Sequence, residues 1–108
     1  MPTDHKHLAE AVRSRIGGAS GVADPALRKE AAAAGAGAAS TNEPYAALAQ
    51  QIAEASYRVT DAQVSAVRAA TGSDKAAFEL VMSAAIGAGL FRWDEAMRAL
   101  AEASDAAP

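Results

Sequence analysis

The chain has 108 residues, and its ten basic and thirteen acidic side chains give a net charge of −3 and an isoelectric point near 5.3. Phosphate binding needs clustered Lys and Arg with counterion release, so no nucleic-acid partner is expected. There is no cysteine, which excludes disulfides, thiolate metal sites and thiol peroxidase chemistry.

One domain, residues 1–108, suits this length, and its apolar content is largely alanine, with aromatics at only 5 %. Alanine favours helix and fills little volume, which predicts a thin core and a gain from burying a further face against a copy of the same chain. Charges are spread from Met1 to Ser20, a pattern that predicts neither a signal peptide nor a membrane span, and the expected location is cytoplasmic.

The first predicted helix runs from about Thr3 to Ile16, where Leu8, Val12 and Ile16 stack on one face at four-residue spacing. Gly17-Gly18 stops it. Asp24-Pro25 then supplies an N-cap and a proline at the first helical position, and Ala26 to Glu30 continue a short, mostly surface helix. From Ala31 to Thr41 the sequence is Ala, Gly, Ser and Thr with no apolar period, and it reads as a frayed end and flexible connector. On this reading residues 1–41 carry the N-terminal helices and connector, and residues 42–103 carry the helical core.

Asn42-Glu43-Pro44 opens a third helix with Leu48 and Ile52 on its buried line and Tyr45 and Ala55 close to it. Thr60-Asp61-Ala62-Gln63 has the pattern of a capping box, and Val59 with Val64 adds a hydrophobic staple. A helix from Asp61 to about Ala70 follows, ended by Thr71-Gly72, with Ser73 placed to cap the next. The last helix is the longest. Phe78, Met82, Ile86, Trp93, Met97 and Leu100 recur on it at helical spacing. Gly87 and Gly89 lower its helix propensity, so a closely crossing helix or a bend is expected there. Ser104 to Pro108 is expected to be disordered. All-α is therefore the fold class: a small bundle with a long C-terminal helix.

The run Tyr57-Arg58-Val59-Thr60-Asp61-Ala62-Gln63-Val64, continuing through Thr71-Gly72-Ser73 and Phe78-Glu79-Leu80 into Ala84-Ala85-Ile86-Gly87-Ala88-Gly89, resembles the small helical proteins of the alkylhydroperoxidase D-like and carboxymuconolactone decarboxylase-like group. The resemblance covers about residues 45 to 103. It implies the bundle of that group. Redox members carry Cys-x-x-Cys and a following His at a helix start; counted back from Gly72, those positions fall on Tyr57, Thr60 and Val64. None of the three can form a disulfide or relay a proton to one.

The remaining polar candidates are Tyr57, Arg58, Glu79 and Arg92. In one reading Arg58 holds a substrate carboxylate while Glu79 or Tyr57 moves a proton, as the thiol-independent decarboxylase branch implies by analogy. In the other, Arg58 and Glu79 form an ion pair joining two helices, the commoner use of such a pair. Glu79 and Arg92 are too far apart on one helix to pair. His5-Lys6-His7 lacks the i, i+4 spacing that places two ligands on one helix face, so no metal is assigned. Trp93 and Met97 at helical spacing read as core or subunit contact rather than a cofactor slot, and no cofactor is assigned. A DNA-reading helix-turn-helix between Asp61 and Gly87 would need polar and basic residues where the second helix has Ala76, Ala77, Phe78 and Leu80. Two function classes follow. The first is a non-enzymatic protein for assembly, partner binding or small-ligand binding, homo-oligomeric through its C-terminal helix. The second is a thiol-independent enzyme acting on a small carboxylate or lactone through Tyr57, Arg58 and Glu79.

Overall fold

A computed structural model describes residues 5–106. They form helices α1 (His5–Ile16), α2 (Pro25–Gly35), α3 (Tyr45–Ala55), α4 (Asp61–Thr71) and α5 (Asp74–Ala106), with a 3-10 turn at Ser56–Arg58 between α3 and α4. Among the described residues there is no strand, so the all-α bundle is the observed architecture. Thr3 and Asp4, where the first helix was expected to begin, lie outside the described residues.

Local chemistry places the helix starts. Asp24 accepts from the Ala26 amide at 2.9 Å with Pro25 next in the chain, which starts α2. The Thr60 hydroxyl accepts from the Gln63 amide at 3.1 Å while the Gln63 side chain accepts from the Thr60 amide at 3.0 Å. This closes the capping box of α4. Gly72, at φ +71, ends α4 in the left-handed conformation, and Ser73 accepts from Ala76 at 3.2 Å to begin α5. Val59 and Val64 both pack against the core, as a staple should.

The core is mostly alanine, with Leu48, Ile52, Val67 and Leu80 as its larger members. Its centre is the crossing of α2 and α5. A Cβ on Gly35 would collide with the Ala84 carbonyl, and one on Gly87 with the Ala32 carbonyl, so the two backbones lie in direct contact. This corrects the expectation for Ala31 onward: Ala31, Ala34 and Gly35 are buried, and α2 is central rather than a surface helix. Small residues carry no apolar period that a sequence can display, because a close crossing needs absence of side chain. The stretch after Gly35 is tied down as well. Glu30 accepts from Ser40 at 3.0 Å and from Asn42 at 3.2 Å, and Gln50 donates to the Ser40 carbonyl at 3.4 Å.

Helix α1 has no buried residue, and Leu8 and Val12 are exposed, so its apolar line covers nothing fully. Helix α5 has 33 residues, about 50 Å at 1.5 Å per residue, and sets the 56 Å long dimension of the molecule. The body covers only its first half. Ala76, Leu80, Ala84, Gly87 and Ala88 are buried, whereas every residue from Phe91 to Asp105 is exposed. The helix continues through Ala106, which corrects the expectation of disorder from Ser104 for all but the last two residues; those two lie outside the described residues.

Candidate functional site

The three residues singled out by sequence separate in the structure. Tyr57 and Arg58 sit on the 3-10 turn, Tyr57 83 % exposed, with the Arg58 guanidinium 5.7 Å from the Tyr57 ring centre. Glu79 points elsewhere. Its carboxylate accepts from the Val22 amide at 2.9 Å and the Ala23 amide at 2.8 Å, and Arg28 Nη1 lies 3.8 Å away. The partner of Glu79 is thus Arg28 of α2, not Arg58.

Arg28 is buried and donates to the carbonyls of Gly18 and Ser20, while its Nε has no hydrogen-bond partner in the structure. Together the two side chains clamp the α1–α2 loop, Arg28 holding its carbonyls and Glu79 its amides. Gly21 is required within that clamp: its φ is +115, and a Cβ there would collide with both Glu79 and Arg28. Sequence reading missed Arg28. The available signal was its place three and seven residues before Ala31 and Gly35, on the face of α2 that turns inward.

Hydrogen bonds from Ala23 and Val22 lower the Glu79 pKa, with the charges of Arg28 and Lys75 acting the same way and desolvation opposing them. A carboxylate so held is anionic at neutral pH, and its oxygens already accept loop amides. It is a poor general acid and a weakened base. An open cleft of about 570 Å³ beside it is lined by Ser14, Arg15, Gly18, Ser20, Gly21 and Glu79, and contains neither Tyr57 nor Arg58. The three positions matched to the redox motif have local uses: Thr60 caps α4, Val64 packs against the core, and Tyr57 carries Arg58. No group of three or more His, Asp or Glu among the described residues is placed to hold a metal ion.

The unusual surface lies on α5. At about 100° per residue, Phe78, Met82, Ala85, Gly89, Trp93 and Leu100 fall on one line. That line runs along the side opposite Ala76, Leu80, Ala84 and Gly87, which face the core. The large residues on or beside it are open to solvent: Phe78 63 %, Met82 42 %, Trp93 37 %, Met97 44 % and Leu100 62 %. The apolar stripe predicted from sequence is real, but its large members point outward. The crossing with α2 admits only small residues, so the bulky ones cannot face it.

Beyond the body, charges keep off this line. Arg92 donates to the Ala53 carbonyl at 3.3 Å, Asp94 pairs with Arg13 at 2.5 Å, and Glu95 pairs with Arg98 along the helix. The Trp93 ring meets His5 edge to face with centroids 6.1 Å apart, placing α1 beside this half of α5. By length and composition α5 is also long and apolar enough to cross a membrane, with 39 % of the relevant window buried inside the molecule. No family model, curated protein or solved structure matches the chain.

Proposed function

We propose that the chain is a non-enzymatic assembly protein whose helical body holds out α5 as a surface for packing against another helix. The observation that carries this reading is the inversion on α5, with alanine and glycine turned inward and Phe78, Met82, Trp93, Met97 and Leu100 turned outward. Exposed apolar patches that continue along one face mark interaction sites, whereas scattered apolar residues do not. The stripe runs past the end of the body, where Met97 and Leu100 are left exposed among the described residues.

The enzymatic alternative needs Tyr57, Arg58 and Glu79 around one substrate. Against it stand the exposure of Tyr57 and the engagement of Glu79 with loop amides and Arg28. The resemblance to the alkylhydroperoxidase D-like group adds one expectation to the proposal, that Tyr57, Thr60 and Val64 support no thiol-dependent peroxide reduction. The proposal otherwise rests on the stripe.

Light scattering coupled to size exclusion tests it on the wild-type chain and on Met97→Glu and Leu100→Glu, both beyond the body, where the fold does not depend on them. The wild type should run above the single-chain mass of 10.9 kDa, and each variant should return to it with its helix content unchanged. A wild-type monomer at about 100 µM, a concentration at which even a weak dimer should be populated, would reject the proposal.

A further inference from the structure

We infer that the occupant of the α5 stripe is α5 of a second copy, running antiparallel about a two-fold axis at Gly89. This rests on the proposed assembly function and gives it a partner, an orientation and a register.

Gly89 is the first reason. It is exposed, and a Cβ there would meet no atom of another described residue outside its own helix turn within 4 Å. Gly87, two residues earlier, is explained by the Ala32 backbone pressed against it. Among the described residues no neighbour presses on Gly89, although glycine inside a helix weakens it. Glycine lets two helix backbones touch, and in the proposed pair the second backbone at Gly89 is that of another copy.

The stripe is also self-complementary about that point. An isologous interface requires that residue i meet residue j and j meet i. In an antiparallel pair centred on Gly89, residues equally far before and after it face one another. Phe78 and Leu100 each lie eleven residues away, Met82 and Ala96 seven, Ala85 and Trp93 four. Each inner pair sets a large side chain against an alanine, and the outer pair sets Phe78 against Leu100.

Spacing supports a long, straight contact. Phe78, Met82, Ile86, Gly89, Trp93, Met97 and Leu100 follow one another at intervals of four, four and three. That is an eleven-residue repeat at about 3.67 residues per turn, close to the period of an unstrained helix. The stripe therefore stays nearly parallel to the helix axis from Phe78 to Leu100 instead of winding away from a neighbour.

Orientation follows from charge and shape. A parallel pair would set Lys75 against Lys75 and Trp93 against Trp93, while leaving Ala85 facing Ala85. The antiparallel pair opposes the helix dipoles and brings Lys75 to the C-terminal end of its neighbour, where the dipole is negative. Area bounds the contact. With about 200 Å² per large side chain, the exposed fractions of Phe78, Met82, Trp93, Met97 and Leu100 amount to roughly 500 Å² on each copy. Both copies together reach at most about 1,000 Å², the lower limit for a specific interface, so a weak dimer is expected.

A membrane surface is the weaker occupant. The polar side of the projecting half carries Asp94, Glu95, Glu102 and Asp105 against Arg92 and Arg98, whereas interfacial helices place excess Lys and Arg there.

The absence of cysteine makes the register directly testable. Met82→Cys and Ala96→Cys chains are oxidised separately and as an equal mixture at about 100 µM, where a weak dimer should be populated. A cross-linked dimer in the mixture, with background levels in either chain alone, is the expected result. Gly89→Leu should shift the mass from twice 10.9 kDa to once that value without loss of helix, since its side chain has open space within a single chain. Self-cross-linking of Met82→Cys alone would show a parallel pair and overturn the inference. A dimer that Leu100→Glu dissolves but that cross-links in neither arrangement would overturn the register and leave the assembly reading standing. A wild-type monomer, including one that floats with phosphatidylcholine vesicles, would overturn both.

Discussion

Gly35 of α2 lies over the Ala84 carbonyl, and Gly87 of α5 lies over the Ala32 carbonyl, so the two glycines bracket one backbone-to-backbone crossing. Neither can take a methyl group without pushing the helices apart. Gly89, one half-turn from Gly87, faces open space within the chain.

That contrast gives opposite signs for one substitution at two neighbouring positions. Gly87→Ala should destabilise the fold by about 1–3 kcal/mol through overpacking against Ala32. Gly89→Ala should stabilise a single chain by about 0.5–1 kcal/mol through helix propensity. Urea unfolding at low concentration, where chains are apart, reads both. Equal shifts in the two variants would mean that α2 does not cross α5 at Gly87.

Glu79 should make stability depend on acid pH. Its folded pKa lies below the ordinary 4.5 because the Ala23 and Val22 amides and Arg28 favour the charged form. A carboxyl lowered on folding contributes stability that is fully present above the unfolded value and lost as pH falls through the folded one. Glu79→Gln should be less stable than wild type near neutral pH, and the difference should shrink below about pH 4. Unfolding midpoints across that range provide the test, and a difference independent of pH would remove Glu79 from the role.

Arg28 should matter more than any of the residues first suspected of catalysis. Arg28→Met leaves the Gly18 and Ser20 carbonyls without their charged donor and should cost about 2 kcal/mol or more. Tyr57→Ala and Arg58→Ala, on an exposed turn, should each stay within about 0.5 kcal/mol of wild type. Thermal midpoints rank the three. If Arg58→Ala were the most damaging, the loop clamp would be misassigned.

The cap of α4 offers a cleaner local test. Thr60→Ala should destabilise by about 1 kcal/mol through loss of the acceptor for the Gln63 amide, and Gln63→Ala by less. Denaturant midpoints suffice, and unchanged values in both would place the start of α4 elsewhere.

Much of the fold was legible because short-range chemistry decides it. Asp24-Pro25, Thr60 with Gln63, Gly72 and Ser73 each act within four residues, and each terminus they mark is where the helix begins or ends. The candidate site was not legible in the same way. Arg28 and Glu79 are 51 residues apart in sequence, and the amides that fix Glu79 belong to backbone, which has no residue identity to read. Arg58 was a reasonable partner on charge alone, but charge does not say which helix lies within reach.

By itself the sequence determined where most helices start and stop, though not that residues 31–35 or 104–106 are helical, and that α5 bears an apolar line with the period of a helix. Periodicity is a property of one helix and needs no neighbour. Only the tertiary structure decided which side of α5 faces inward. The close crossing with Ala32 and Gly35 of α2 excludes large side chains, so Ala84 and Gly87 took the core and Phe78, Met82, Trp93 and Leu100 were left outside. Hydrophobicity favours burial of the larger residues, but steric exclusion at a backbone contact is stronger than the gain from burying any one of them.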